Sequence, residues 1–199
     1  MLRPNLAMDA PPTEISVGGV PYAANVDYRV WLQVLALMKQ IRSETPDRET
    51  RLRNARIFGE IETLVFGGRL ADEDPAEILR SISAFAHGYP SAPMGTGEGG
   101  TPTFSFDYDL NEIIIAIRNQ SGIDLSYRRK EPFHWWEFLL EFRTLCGEHY
   151  ILNLMEARGY KGKDAELLKR KSQCALPAEH TADVKALLDE INKEFYGAG

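Results

Sequence analysis

The chain has 199 residues and a mass of 22.5 kDa, 44% hydrophobic and 26% charged, which excludes wholesale disorder and collagen-like repeats. Its net charge of −6 and pI near 5.3 count against a protein that lives by gripping phosphate backbones. Two cysteines, Cys146 and Cys174, fall short of a disulfide framework or a zinc site, no stretch is long and apolar enough for a membrane span, and Met1 to Ala10 lacks the apolar core of a signal peptide; a reducing, cytosolic setting is expected.

Residues 1–13 show no period and read as a disordered N-terminus. Ile15-Ser16-Val17 and Val20-Pro21-Tyr22 flank Gly18-Gly19, the pattern of a tight hairpin whose turn needs positive φ. A lone hairpin is marginal, so it should lie on helices. Asp27 is placed to cap a helix with Val30, Trp31, Val34, Leu35, Met38 and Ile41 on one face. Thr45-Pro46 opens a second, carrying Leu52, Ile57, Ile61, Leu64 and Val65 and ending at Gly67-Gly68. Asp74-Pro75-Ala76-Glu77 starts a third, with Ile78, Leu79, Ile82, Phe85 and Ala86 inward and Gly88 as its stop.

Residues 89–103, rich in Gly and Pro, have no apolar period and read as a flexible loop. Asp109 with Glu112 opens the next helix, Leu110, Ile113, Ile114 and Ile117 inward, Ile115 adding a second buried side, and Gly122 as C-cap. The segment from Phe133 to Cys146 is the most apolar in the chain and predicts a central helix, with Cys146 as a small core residue. Ile151, Leu154 and Met155 mark one more helix to Gly159. Residues 161–199 read as a charged linker followed, beyond Pro177, by an amphipathic helix striped with Val184, Leu187, Leu188, Ile191 and Phe195. The predicted fold is mainly α: a multi-helix bundle of six to eight helices over residues 14–160 with a small N-terminal β-hairpin, then the charged tail.

Three pieces stand out in this order along the chain. Val17-Gly18-Gly19-Val20-Pro21-Tyr22 precedes Asn25-Val26-Asp27-Tyr28-Arg29; Asp107-Tyr108-Asp109 leads into an isoleucine-rich helix ending in Gly122-Ile123-Asp124-Leu125; Phe133-His134-Trp135-Trp136-Glu137-Phe138 follows. Together they resemble the bacteriophage family catalogued as gene product fifteen, found in the tail gene cluster of siphophages and prophages beside the tape-measure gene. The resemblance spans about residues 14–160, departs at Ala24 and Val26, where a more apolar residue and a Thr are expected, and leaves out the Gly-rich loop and the tail after Lys161. It implies a tail-assembly chaperone that keeps the tape-measure protein soluble until tube subunits polymerise around it in the host cytoplasm.

The marked residues also have chemistry of their own. Asp107, Asp109, Ile123, Asp124, His134, Trp135 and Trp136 form the family motif, structural or partner-binding. Trp135 and Trp136 read as core, since aromatics at helical spacing are usually buried, although Trp is also a frequent interface anchor. Asp107 and Asp109 read as helix caps. His134, Glu137 and Glu141 share one helical stripe and could serve a metal-dependent enzyme, but the spacing matches no standard site, so no metal and no cofactor is expected. Arg128-Arg129-Lys130 and residues 161–171 read as the only basic runs and lack any DNA-reading motif. No nucleophile elbow and no phosphate-binding loop occurs.

The expectation is therefore a non-enzymatic tail-assembly protein, with the tape-measure protein as partner, the tail-tube protein as a second candidate and self-association allowed. The stripe from Val184 to Phe195 is the candidate partner surface. Two alternatives stand beside it: a nucleic-acid-binding phage or host regulator, and the metal-dependent enzyme at the His134 stripe.

Overall fold

A computed structural model of the chain describes residues 10–41, 48–88, 102–127 and 129–177. Among them are seven α-helices and one two-stranded antiparallel sheet, so the mainly α fold with a small N-terminal hairpin is as expected. The chain divides into two compact units: the first comprises Met1–Ser91 with Glu131–Leu140, the second Ala92–Lys130 with Glu141–Gly199.

In the first unit, β1 (Glu14–Val17) pairs with β2 (Val20–Ala23), Val17 opposite Val20. Gly18 and Gly19 make the turn with φ of 58° and 91°, a region that a Cβ disfavours. Ile15 and Val17 alternate inward on β1, which packs against α3. Tyr22 on β2 meets Phe66 edge-on and donates its hydroxyl to Glu73 at 2.6 Å, a bond that raises the phenol's pKa. Residues 12 and 13, read from sequence as disordered, have defined places: Thr13 O accepts from Ala24 N, and Pro12 O meets His134.

Helix α1 (Tyr28–Met38) starts where expected, Asp27 accepting from Arg29 N. It buries Tyr28, Trp31, Val34 and Met38 and stops before Ile41, so Ile41 is not on its face. Helix α2 (Arg48–Phe66) packs on α1 and buries Ile57, Ile61 and Val65. Leu52, expected inward, is 65% exposed, because the first turns of α2 have no buried residue before Ile57. Buried Glu62 accepts from Leu70 N and so holds the turn after Gly67. Helix α3 (Pro75–Ala86) has Asp74 as N-cap and Pro at its start and buries Ile78, Ile82 and Phe85. The predicted Thr45-Pro46 cap lies outside the described residues.

The second unit holds α4 (Phe106–Ser121), α6 (Tyr150–Gly159) and α7 (Ala165–Gln173); α4 packs on α6, and α6 on α7. Between α4 and α6 in the chain runs α5 (Trp135–Arg143), whose residues to Leu140 belong to the first unit. Helix α4 begins at Phe106, three residues before the expected start, because Ser105 is its N-cap. Gly122, φ 75°, is its C-cap as expected. Ile113 and Ile117 are buried, but Ile115 is 48% exposed, so α4 has one inner side and not two. Helix α5 stops at Arg143, leaving Cys146 past its end and exposed; it is not a core residue. Residues 165–173, read as part of a charged linker, are helical because Asp164 caps them and Leu167 and Leu168 supply a short apolar face. No helix among the described residues is long and apolar enough to cross a membrane.

Gly88 ends α3 with φ +74°, and a Cβ there would lie 2.7 Å from Leu139 Cδ1. Gly19 is also left-handed but has open space around it. Gly88→Ala should therefore cost about 2 kcal/mol or more in urea unfolding, and Gly19→Ala about 1. Equal losses at the two positions would mean that Leu139 moves aside freely.

Candidate functional site

The residues marked by the sequence gather at two centres, one in each unit. The first forms where Phe133-His134-Trp135-Trp136 returns to the start of α1. Tyr28 N donates to Phe133 O at 2.9 Å and Trp135 N to Val26 O at 2.7 Å, which pairs Asp27 with His134 as an isolated antiparallel bridge. Asn25-Val26-Asp27-Tyr28-Arg29 is thereby explained residue by residue. Asn25 O accepts the Trp31 indole and Asn25 Oδ1 accepts Asp27 N. The Asp27 carboxylate caps α1 and pairs with the Arg29 guanidinium.

The tryptophans are structural. Trp135 is 1% and Trp136 9% exposed. Their indoles donate to the last carbonyls of α3, Trp135 Nε1 to Ala86 O at 2.9 Å and Trp136 Nε1 to Phe85 O at 2.8 Å. A helix end leaves such carbonyls without intrahelical partners, and buried carbonyls need one. The rings then form a continuous file: Trp136 on Phe85 at 5.3 Å, Phe85 on Trp31 at 4.7 Å, Trp31 on Trp135 at 6.3 Å, Trp135 on Phe138 at 5.5 Å, and Phe138 on Tyr28 at 5.0 Å. Each such pair adds about 0.5–1.5 kcal/mol beyond area burial.

His134 has both ring nitrogens engaged. Trp136 N–H donates to Nδ1 at 3.0 Å, which places the ring proton on Nε2 facing Pro12 O at 3.0 Å. Burial lowers the imidazole pKa, outweighing the upward pull of the Pro12 bond and of Glu137. The ring thus acts as a neutral N-terminal cap for α5, with neither nitrogen free to ligate a metal. Among the described residues no group of three or more His, Cys, Asp or Glu could hold a metal ion.

The second centre is an ion pair that the sequence reading missed. Asp109, 3% exposed, accepts Ser105 N at 2.8 Å and both Arg158 amino groups, Nη1 at 2.6 Å and Nη2 at 3.0 Å. Arg158 also donates to Thr103 O at 3.1 Å and to Cys174 O at 2.6 Å. One guanidinium therefore ties the approach to α4, α4 itself and the end of α7 to α6. Asp109 is a cap only in part: Ser105 Oγ caps α4 by accepting from Asp107 N, while Asp109 holds Ser105 in place. Asp107 is exposed in the first turn, where its charge suits the helix dipole. Asp124 is exposed and makes an Asx turn to Ser126 N; beside half-buried Ile123, the anchor of that stretch is Leu125, 1% exposed. Local spacing carries no sign of Arg158, because its partner lies 49 residues away.

Exposed side chains stand together on α4 and on α2. Tyr108 and Ile115, one heptad apart on α4, are 46% and 48% exposed. Arg48, Arg51, Arg53 and Arg56 stand exposed on the first turns of α2 around Leu52, a basic cluster missed because its members are interspersed with other residues. The stripe of Val184, Leu187, Leu188, Ile191 and Phe195 and most of the loop 89–103 lie outside the described residues.

The arrangement defines a class first: a mainly α protein whose conspicuous polar and aromatic residues serve internal bonds. The family described as Bacteriophage Gp15 protein matches residues 82–176, which supports membership of that family. The match runs from within α3 to Leu176, so it includes the stretch after Lys161 and the Gly-rich loop that the sequence resemblance left out, while residues 14–81 lie outside it. It fits a structural or assembly-related phage protein. No curated protein and no solved structure matches the chain.

Two tests follow. The neutral His134 ring is the form the fold holds, so its contribution to stability is complete above the ordinary imidazole pKa of 6.5 and declines as pH falls below it towards the depressed folded value. Melting temperature should drop more for the wild type than for His134→Asn, which can still cap, between about pH 7 and pH 5; parallel profiles would contradict the neutral-cap reading. Arg158→Met strands a buried carboxylate and should cost about 3–5 kcal/mol in urea unfolding, whereas Asp109→Leu with Arg158→Met should lose clearly less than the two single changes summed. Additive losses would show that the pair is not coupled.

Proposed function

We propose that this protein is a non-enzymatic assembly protein of a long-tailed phage that binds the tape-measure protein in the host cytoplasm and keeps it soluble until the tail tube forms. The family match carries this reading. Two features are consistent with it. The marked residues with catalytic potential, His134 and Asp109, are taken up by main-chain bonds and Arg158. Tyr108 and Ile115 on α4 are partly exposed at helical spacing, the kind of ridge that packs into a partner helix. A tape measure is a long helix with repeated apolar stripes, so many copies binding weakly along it would gain by avidity.

Co-expression tests the proposal. The tape-measure protein of the same phage should move into the soluble fraction and co-purify with this chain, and Tyr108→Glu with Ile115→Glu should reduce capture while leaving the melting temperature near that of the wild type. A tape-measure protein equally soluble without this chain, and not captured by it, would refute the reading. A nucleic-acid regulator is the second reading, favoured by one observation, the exposed arginines of α2. It requires DNA binding that weakens steeply with salt and is lost on replacing Arg48, Arg51, Arg53 and Arg56.

A further inference from the structure

Helix α7 is held at its ends and open along its side. Asp164 caps it, and Asp164 N is bonded to Tyr160 Oη at 3.1 Å. Near its other end Lys171 Nζ donates to Tyr160 O at 2.7 Å, and Cys174 O accepts from Arg158. Yet α7 buries no residue, and its two leucines, Leu167 and Leu168, are 41% and 43% exposed. Polar ties at the ends fix where the helix lies, while apolar packing on one face is what ordinarily stabilises so short a helix. An adjacent leucine pair on a helix without a buried residue calls for a cover.

We propose that α7 is the docking surface for the chain's own segment 178–199, through the apolar stripe which that segment carries in its sequence. Three observations select this occupant. The segment carries the apolar stripe Val184, Leu187, Leu188, Ile191 and Phe195 at helical spacing. Its charge is complementary: residues 161–177 hold five Lys or Arg against two Asp or Glu, a net of +3, and residues 178–199 hold two against five, a net of −3. The connection also reaches. From Cys174 to Val184 the chain advances ten residues, about 33 Å when extended, whereas the nine residues of α7 rise only about 13 Å. Pro177 falls in that connection, where a helix should stop. The stripe thus covers α7 in the same molecule, whether or not a tape-measure protein is the partner.

Disulfide trapping in the full chain tests this. Cys146→Ser and Cys174→Ser remove the native thiols; Leu168→Cys is then combined in turn with a cysteine at Leu187, Leu188 or Ile191, or at Ala186 on the opposite side of the stripe. At low protein concentration at least one stripe position should form an intramolecular disulfide about tenfold faster than Ala186. Equal rates at all positions would overturn the proposal, and so would disulfides forming only between molecules, which would assign the cover to a second copy. In the chain without added cysteines, Leu187→Asp with Leu188→Asp should speed amide exchange in α7 about tenfold; unchanged exchange would overturn the proposal too.

Discussion

The pairing of residues 26–28 with 133–135 is the constraint on which the first unit depends. Two main-chain hydrogen bonds, Tyr28 N to Phe133 O and Trp135 N to Val26 O, join segments over a hundred residues apart in sequence. Closing so long a loop costs entropy that two hydrogen bonds alone do not offset. The aromatic file offsets it. Once Trp135 is fixed beside Val26, its ring stacks between Trp31 and Phe138, its indole reaches Ala86 O, and the next residue reaches Phe85 O. The hairpin, α1, α2 and α3 are local in sequence; residues 131–140 complete their core from far along the chain.

In the second unit the corresponding role falls to the Asp109–Arg158 pair. A buried ion pair need not stabilise relative to apolar residues of the same size, because two charges lose their water. What this one supplies is geometry. The planar guanidinium can satisfy four acceptors at once, and here it fixes Thr103 O, both Asp109 oxygens and Cys174 O. Removing one partner would leave the other charged and buried, so the pair behaves as a unit. The family match covers Asp109, Arg158 and both partners of the indole bonds to Ala86 and Phe85, whereas residues 26–28 lie outside it.

Local chemistry was readable in advance, and distant partners were not. Asp27 and Asp74 as caps, the Gly18-Gly19 turn and the glycines after α2, α3 and α4 each follow from the conformation that one or two residues favour. The apolar period also gave most buried faces correctly. It failed where a helix extends beyond its packing partner, as with Leu52, or where an isoleucine run exceeds one face, as with Ile115. Helix α7 was hidden because two leucines beside three basic residues give too narrow a stripe for composition to register. At the centres, the residue types were visible but not their roles. His134 signals a ligand as readily as a cap until Trp136 N and Pro12 O are seen on either side of its ring. Asp109 looks like an ordinary first-turn acid until Arg158 arrives from α6. Leu125 stands in the quoted motif stretch, yet nothing in its type singles it out beside the more conspicuous Asp124 until its burial is seen.

Native-state amide exchange at Tyr28 and Trp135 tests the central claim most directly. Both N–H groups belong to the long-range pairing, not to a helix interior, and ordinary loop amides exchange by local opening. If residues 133–136 complete the first unit, both amides should exchange only as fast as the Trp31 indole N–H, through one cooperative opening, and Trp135→Ala should accelerate all of them together. Exchange at Tyr28 and Trp135 that is far faster than at the Trp31 indole, with α1 still protected, would contradict the account and make the pairing a loose contact on a core formed without it.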